Sequence, residues 1–310
     1  MKKYLITGVN GFVGHYFVEY LKKKEPSANI LGVGLSSETD INEIAYQQIN
    51  LKDKDCVSVL LNSYQPDYIL HLAAMSSVAQ SWQEPHECFV NNTTIFLNIV
   101  DAIRLNNIRT RILSIGSSEE YGIYDTPIKE DFVLHPKSPY SIARLSQEYL
   151  SKLYVNRYGL DIVMTRSFNH IGPGQSDRFV IPSFIKQLVN IANGAENKMV
   201  VGNIEVARDF TDVRDVVDAY YKILKNAPNC SVYNVCSGHA YKLKEIISIA
   251  ENILGIKANI EVDKTLLRPN DVMLVQGDNT KLKIELGWKK KYTLDETLSD
   301  MIEYWKNYHD

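Results

Sequence analysis

Cysteine is scarce in this 310-residue chain: there are four, Cys56, Cys88, Cys230 and Cys236, none in a Cys-x-x-Cys pair and none at ligand spacing from a histidine. That pattern argues against a disulfide framework or a Cys–His metal centre and predicts buried thiols in a reducing compartment. A strong excess of one charge is also missing. The net charge of −3 disfavours a dedicated nucleic-acid or membrane-surface binder. No apolar run approaches the ~20 residues that span a bilayer, and Met1-Lys2-Lys3 leads into a short strand rather than a signal-peptide core, so the chain reads as cytoplasmic. Repeats and low-complexity tracts are absent as well. What is present is an ordinary globular composition, 45% hydrophobic and 23% charged, long enough for one large domain or two unequal ones.

Strand-like runs at Tyr4–Thr7, Ile30–Gly34, Tyr68–Ala73, Arg111–Ile115 and Asp161–Arg166 alternate with helical patterns such as Asn92–Asn106 and Pro139–Tyr158. This alternation predicts an α/β chain with a Rossmann-type, doubly wound parallel sheet and ligands at the carboxyl ends of its strands. After Arg166 the rhythm loosens. Gly172-Pro173-Gly174 is followed by a helix from Pro182 to about Asn193, a strand at Val232–Val235, and helices near Leu243–Leu254 and Leu294–Tyr308. Residues 1–168 are therefore expected to form a dinucleotide-binding domain, to which segments near 203–236 return. Residues 169–310 are expected to form mainly a smaller substrate-binding domain. The lysine runs at 22–24 and 289–291 read as solvated ends.

Two segments carry chemistry. The first is the strand Lys3–Thr7 running through Gly8-Val9-Asn10-Gly11-Phe12-Val13-Gly14 into a helix that extends to Lys24. Glycines at such a junction let backbone N–H groups close on a pyrophosphate, and the helix dipole favours the anion. The spacing Gly-x-x-Gly-x-x-Gly is one residue wider at its start than the usual dinucleotide fingerprint, and in this position it points to a nicotinamide cofactor. The second is a pair of elements: Ser114–Gly122 directly after a strand, and Ser138-Pro139-Tyr140-Ser141-Ile142-Ala143-Arg144 opening a long helix. Tyr140 and Arg144 lie one helical turn apart, so a fixed cation stands beside the phenol and favours the phenolate left after proton donation. Ser117 would hold the substrate oxygen. Alone, these residues could be a surface pair and a turn serine. The glycine loop upstream and the serine's place at a strand end favour the chemical reading.

With these motifs the chain resembles the extended short-chain dehydrogenase/reductases, in their nucleotide-sugar branch. The likeness spans essentially the whole length: the glycine loop, His71-Leu72-Ala73-Ala74, Asn92, the Ser117 turn and the Tyr140 helix. It implies that Gly8, Asn10, Gly11, Phe12, Val13, Gly14, Ser36, Asn50, Leu51, Leu72, Ala73, Ala74, Asn92, Tyr140 and Arg144 meet the cofactor. One departure stands out. The family carries lysine four residues after the tyrosine, where this chain has Arg144, and arginine keeps the charge but differs in reach and shape. No carboxylate ends the second strand, and Ser36 and Ser37 can hydrogen-bond a 2′-phosphate, so NADP(H) is expected to be preferred and NAD(H) accepted.

Phe168–Gln175, Phe179–Pro182, Val201–Phe210 and Val232–Gly238 resemble the GDP-sugar members. They imply reduction of the C4 keto group of GDP-4-keto-6-deoxy-D-mannose to GDP-D-rhamnose. By this resemblance Asn169 faces the sugar diphosphate, Phe179 and Val180 wall the guanine, Arg208 and Arg268 clamp the diphosphate and Asp271 reaches the ribose. Arginine suits that role because its fork matches phosphate oxygens. The plainer alternatives are an ion pair within the Arg208–Asp215 run and a loop charge at Arg268. The rival activity is that of the GDP-mannose 4,6-dehydratases, whose C5 base is a glutamate at the position of Glu119. For a reductase, Glu119 reads as a polar wall residue beside the catalytic candidates Ser117, Tyr140 and Arg144. Against the dehydratases stand Ile181-Pro182-Ser183, Phe210 and Leu35-Ser36, where they carry other residues. A non-catalytic NAD(P)-sensing protein is the further alternative. Apolar residues on more than one face of the Pro139–Tyr158 helix (Ile142, Leu145, Tyr149, Leu150, Leu153, Tyr154), with the family's habit of pairing this helix and Asn92–Asn106 between subunits, imply a homodimer.

Overall fold

The structure, a computed structural model, describes residues 1–267 and 272–308. The first half runs β1 (Lys3–Thr7), α1 (Phe12–Lys24), β2 (Asn29–Gly34), β3 (Ala45–Gln48), α2 (Lys54–Tyr64), β4 (Tyr68–His71), α3 (Val78–Gln83), α4 (Pro85–Leu105), β5 (Arg111–Ser117), α5 (Pro139–Tyr158) and β6 (Asp161–Ser167). Then come β7 (Asn169–Ile171), α6 (Val180–Ala192), β8 (Met199–Val201), β9 (Ala207–Asp212), α7 (Val213–Asn226), β10 (Val232–Val235) and β11 (Ala240–Lys242). The chain closes with α8 (Leu243–Leu254), β12 (Ile260–Val262), β13 (Leu274–Val275), α9 (Thr280–Leu286) and α10 (Leu294–Asn307).

The central sheet has the order β10-β6-β5-β4-β1-β2-β3, and every neighbouring pair is parallel. Its inner strands are near-continuous apolar runs because helices cover both faces. On one side Phe17, Val18 and Leu21 of α1 pack with Val216, Val217 and Tyr220 of α7. On the other, Val57 and Leu61 of α2 meet Phe96, Ile99 and Val100 of α4. The winding reverses between β1 and β4, which opens a crevice at the carboxyl ends of these strands. A separate core joins α6, α8 and α10, with Phe184, Ile185, Ile246, Leu298 and Met301 at its centre. Beside it β7, β9, β11 and β13 form a second sheet, while β8 and β12 pair alone.

Several boundaries differ from expectation. Helix α4 begins at Pro85 rather than Asn92, with proline in its first turn, where a missing N–H breaks no helical bond. The same reasoning places the start of α6 at Val180, ahead of Pro182. All four thiols are free, but only Cys88 and Cys236 are buried. Cys56 is exposed in the first turn of α2, where the chain faces solvent. No helix among the described residues is long and apolar enough to cross a membrane.

Candidate active site

The glycine junction forms a tight cradle. Gly8 donates its N–H to the Val33 carbonyl (2.8 Å) and adopts φ +67°, a conformation that disfavours a side chain. A Cβ there would also stand 2.9 Å from the Ala73 backbone. At Gly14 a Cβ would lie 2.1 Å from the Val9 carbonyl oxygen, so the first turn of α1 can sit this close to the glycine turn only without one. Gly11 caps α1 and supplies no side-chain acceptor, which leaves the helix's first N–H groups to a ligand. Asn10 donates to the Glu38 carbonyl (2.9 Å), and its buried Oδ1 has no partner among the described residues. Donors without a side chain over them, backed by a helix N-terminus, fit a dinucleotide pyrophosphate. Phe12 stacks near-parallel on His170, while Val13 packs on the sheet core. The Tyr16 hydroxyl donates to the Pro173 carbonyl (2.8 Å), tying α1 to the Gly172-Pro173-Gly174 turn.

At the rim Ser36 is exposed and its carbonyl accepts from Tyr46 (2.8 Å). Asn50 is exposed with Oδ1 accepting from the Lys52 N–H (3.1 Å), and Leu51 is buried beneath it. Sequence reasoning missed Asp40. It pairs with His15 on α1 (2.8 Å), and that hydrogen bond holds its carboxyl below the usual range. The Leu72-Ala73-Ala74 loop is anchored from below. Thr7 Oγ1 accepts the Ala73 N–H (3.1 Å) and contacts His71 Nδ1 (2.9 Å). Burial, with the nearby Arg144 charge, pushes His71 down to about 3, so its imidazole is neutral. Asn92, expected to meet the cofactor, is buried with both ends of its amide on the Met75 backbone (2.8 and 3.1 Å), and so acts on this loop.

The reactive candidates meet where β5 ends against α5. Ser117 is the last residue of β5 and caps a 3-10 turn, Ser118–Glu120. Its Oγ accepts the Glu119 N–H (3.2 Å), which leaves the hydroxyl proton to donate. Tyr140 lies in the first turn of α5, placed by the Ser138–Ser141 capping box and Pro139. Arg144 donates from Nε to the Tyr140 oxygen (3.2 Å) and from Nη1 to the Ile115 carbonyl (3.0 Å) and Gln147 Oε1 (3.1 Å). Gln147 in turn donates to Ser114 (2.8 Å). Both Tyr140 and Arg144 are buried, and among the described residues the guanidinium hydrogen-bonds neutral groups, the phenol among them. Glu119, within the 3-10 turn that follows Ser117, is exposed.

On the substrate side Asn169 is exposed at the start of β7, and Phe179 and Val180 are exposed where α6 begins. Arg208 on β9 donates to the Ala207 and Val272 carbonyls (2.9 and 2.6 Å). Asp212 pairs with Arg214, and Asp209 accepts the N–H groups of Ser237, Gly238 and Gly277. Arg268 and Asp271 lie outside the described residues. The sequence reading also overlooked a buried cluster behind Ser117, in which Arg166 on β6 holds Glu148 through two 2.8 Å bonds near Glu120. The available signal was an arginine inside an apolar strand, Ile162-Val163-Met164-Thr165-Arg166.

A family model described as GDP-mannose 4,6 dehydratase matches residues 5–301. The chain belongs to this family, within the extended short-chain dehydrogenase/reductases. It is 30% identical over 310 residues to the GDP-6-deoxy-D-mannose reductase of Pseudomonas aeruginosa, covering 99% of this chain and 98% of that protein. It is 28% identical over 320 residues to GDP-mannose 4,6 dehydratase 1 of Arabidopsis thaliana, covering 96% and 88%. Among solved structures, RMD from Pseudomonas aeruginosa complexed with NADPH superposes with a TM-score of 0.88 at 30% identity, covering 99% of each chain.

Proposed function

We propose that this family member reduces the C4 keto group of GDP-4-keto-6-deoxy-D-mannose to the alcohol of GDP-D-rhamnose. The observation that carries the reading is the Arg144 Nε to Tyr140 hydroxyl bond at the end of β5, beside Ser117, in a chain similar over its full length to a reductase of this kind. When bound, the reduced nicotinamide supplies the hydride that forms the new C4–H bond. Ser117 donates to the carbonyl oxygen and orients it. Tyr140 gives its hydroxyl proton to that oxygen as the carbonyl becomes an alcohol. Arg144 holds the resulting phenolate oxygen and offsets its charge. In this reading Asn169, Phe179, Val180, Arg208, Arg268 and Asp271 receive the GDP-sugar. Residues 1–168 with α7 and β10 form the dinucleotide half, and residues 169–310 mainly the sugar-nucleotide half.

NADPH is the proposed preferred cofactor, supported by Ser36 and Ser37 after β2, a strand that ends on Gly34 rather than on a carboxylate. Four free thiols and a charged nucleotide substrate suit a cytoplasmic enzyme. The exposed apolar residues of α4 and α5 support a homodimer. The rival dehydratase reading draws on Glu119 and on the similarity to named dehydratases. Incubation with GDP-mannose, then with the 4-keto sugar plus NADPH or NADH, separates the two. A reductase leaves GDP-mannose untouched and oxidises cofactor only with the keto sugar. Conversion of GDP-mannose without net cofactor consumption would establish the dehydratase.

A further inference from the structure

Behind Ser117 lies a carboxyl group that the proposed reaction does not use. Glu120 ends the 3-10 turn with no solvent exposure, and its Oε1 accepts the Ser117 backbone N–H at 2.7 Å. Room for it comes from Gly116, where a Cβ would stand 2.6 Å from Glu120 Oε1 and 2.4 Å from the Thr165 carbonyl. The second oxygen, Oε2, is buried without a hydrogen-bond partner among the described residues, 4.0 Å from Arg166 Nε. Arg166 is already occupied. Its Nε and Nη2 hold Glu148, and its Nη1 reaches the Tyr121 hydroxyl (2.8 Å) and the Glu130 carbonyl (2.9 Å).

We propose that Glu120 is a positioning residue for Ser117, Tyr140 and Arg144, neutral in the working enzyme and able to switch the site down by ionising. The proposal rests on the roles given to those three residues above. The charged groups facing Glu120 are Glu148 and Arg144 from α5 and Arg166 from β6. Lys152 binds Glu148, and the loop over the turn adds the His135 backbone N–H on the Glu120 carbonyl. Two carboxylates thus share one guanidinium, and Glu148 has both of its good bonds. Burial beside Glu148 pushes Glu120 up to about 8 despite the Ser117 N–H and the two arginines. While neutral, Glu120 anchors the serine turn and leaves Arg144 undiminished toward Tyr140. Once ionised, it offsets part of the Arg144 charge, and the coupling is reciprocal. The phenolate left by proton transfer is then less stabilised, and reduction slows.

The test compares the pH profiles of keto-sugar reduction for the wild type, Glu120→Gln and Glu148→Gln, from about pH 6.5 to about pH 9.5. Glutamine at 120 keeps the acceptor for Ser117 and stays neutral. It should retain the rate near neutrality and move the alkaline fall in kcat upward by at least ~1 pH unit. Glu148→Gln removes the repelling charge and frees part of Arg166, so it should move the fall toward lower pH. A purely structural role would change thermal stability and leave all three profiles superimposed, which overturns the proposal. A separate readout needs no turnover. Infrared difference spectra should show a protonated carboxyl band at neutral pH that is lost by about pH 9.5 and absent from Glu120→Gln. Absence of that band from the wild type overturns the proposal even where keto-sugar reduction is observed. Its presence in a chain that reduces no keto sugar means that the reaction reading has failed while the ionisation of Glu120 stands.

Discussion

Arg144 ties the reactive pair to the sheet. The sequence predicts a cation one turn from Tyr140, and the guanidinium does reach the phenol through Nε. It does not predict that the remaining length of the side chain bridges α5 to the Ile115 carbonyl and Gln147. That bridge changes how substitutions read. Arg144→Ala removes the charge and also strands the buried Gln147 Oε1, at ~1–3 kcal/mol, while Ile115 keeps its bond from Gln147, so it should lower Tm as well as rate. Arg144→Lys keeps a cation with three donors, though with a different reach and shape, and should hold activity within about tenfold of the wild type. Tyr140→Phe removes only the proton donor. It should cost ~100-fold or more in kcat with Tm almost unchanged, because among the described residues the lost hydroxyl bonds only Arg144. Steady-state kinetics beside thermal melts check all three. Unchanged turnover and cofactor KM in Arg144→Ala would remove the cation from the site.

At the scale of elements, the glycine junction shows how much of the site was legible. Its three glycines lie at fixed spacing on one strand-to-helix turn, so a local pattern describes the whole cradle. Gly14→Ala tests it. A methyl 2.1 Å from the Val9 carbonyl must push α1 away from the glycine turn, costing ~1–3 kcal/mol and weakening dinucleotide affinity in a fluorescence titration. Unaltered affinity with unaltered stability would mean that the close packing is not required. The central strands were legible for a related reason: each is an apolar run long enough to stand out. Strand β3, with no buried residue, and the three-residue β7, β8, β11 and β12 were not. These short pieces are strands only because a distant partner pairs with them, as β7 does with β9 across forty-odd residues of chain. Helix α7 was missed despite its strongly amphipathic pattern, and Asp209 was read as a possible ion-pair partner although it holds three backbone N–H groups. The Glu120–Arg166–Glu148 cluster joins three elements, so no local pattern contains it.

At the scale of the whole molecule, the apolar face of α5 is left without cover within one chain. Leu150 and Tyr154 turn inward against the core that α2 and α4 share. Ile142, Tyr149 and Leu153 point the other way, with exposures of 46%, 52% and 61%, and their spacing of seven and four residues places them on one helical stripe. Helix α4, packed beside α5, adds Phe89. Covering such a stripe with a second copy of itself forms a twofold interface in which each α5 meets its counterpart, and a stable one buries ~1,200–2,000 Å² in total. Replacing Tyr149 and Leu153 together with glutamate would set four like charges into that interface while changing only exposed positions of the single chain, so stability of the protomer should move by no more than ~1 kcal/mol. Sedimentation at micromolar concentration should then give a dimer for the wild type and a monomer for the double variant, with the far-ultraviolet circular dichroism unchanged. A wild-type chain that sediments as a monomer would leave the stripe exposed in solution and refute the dimer.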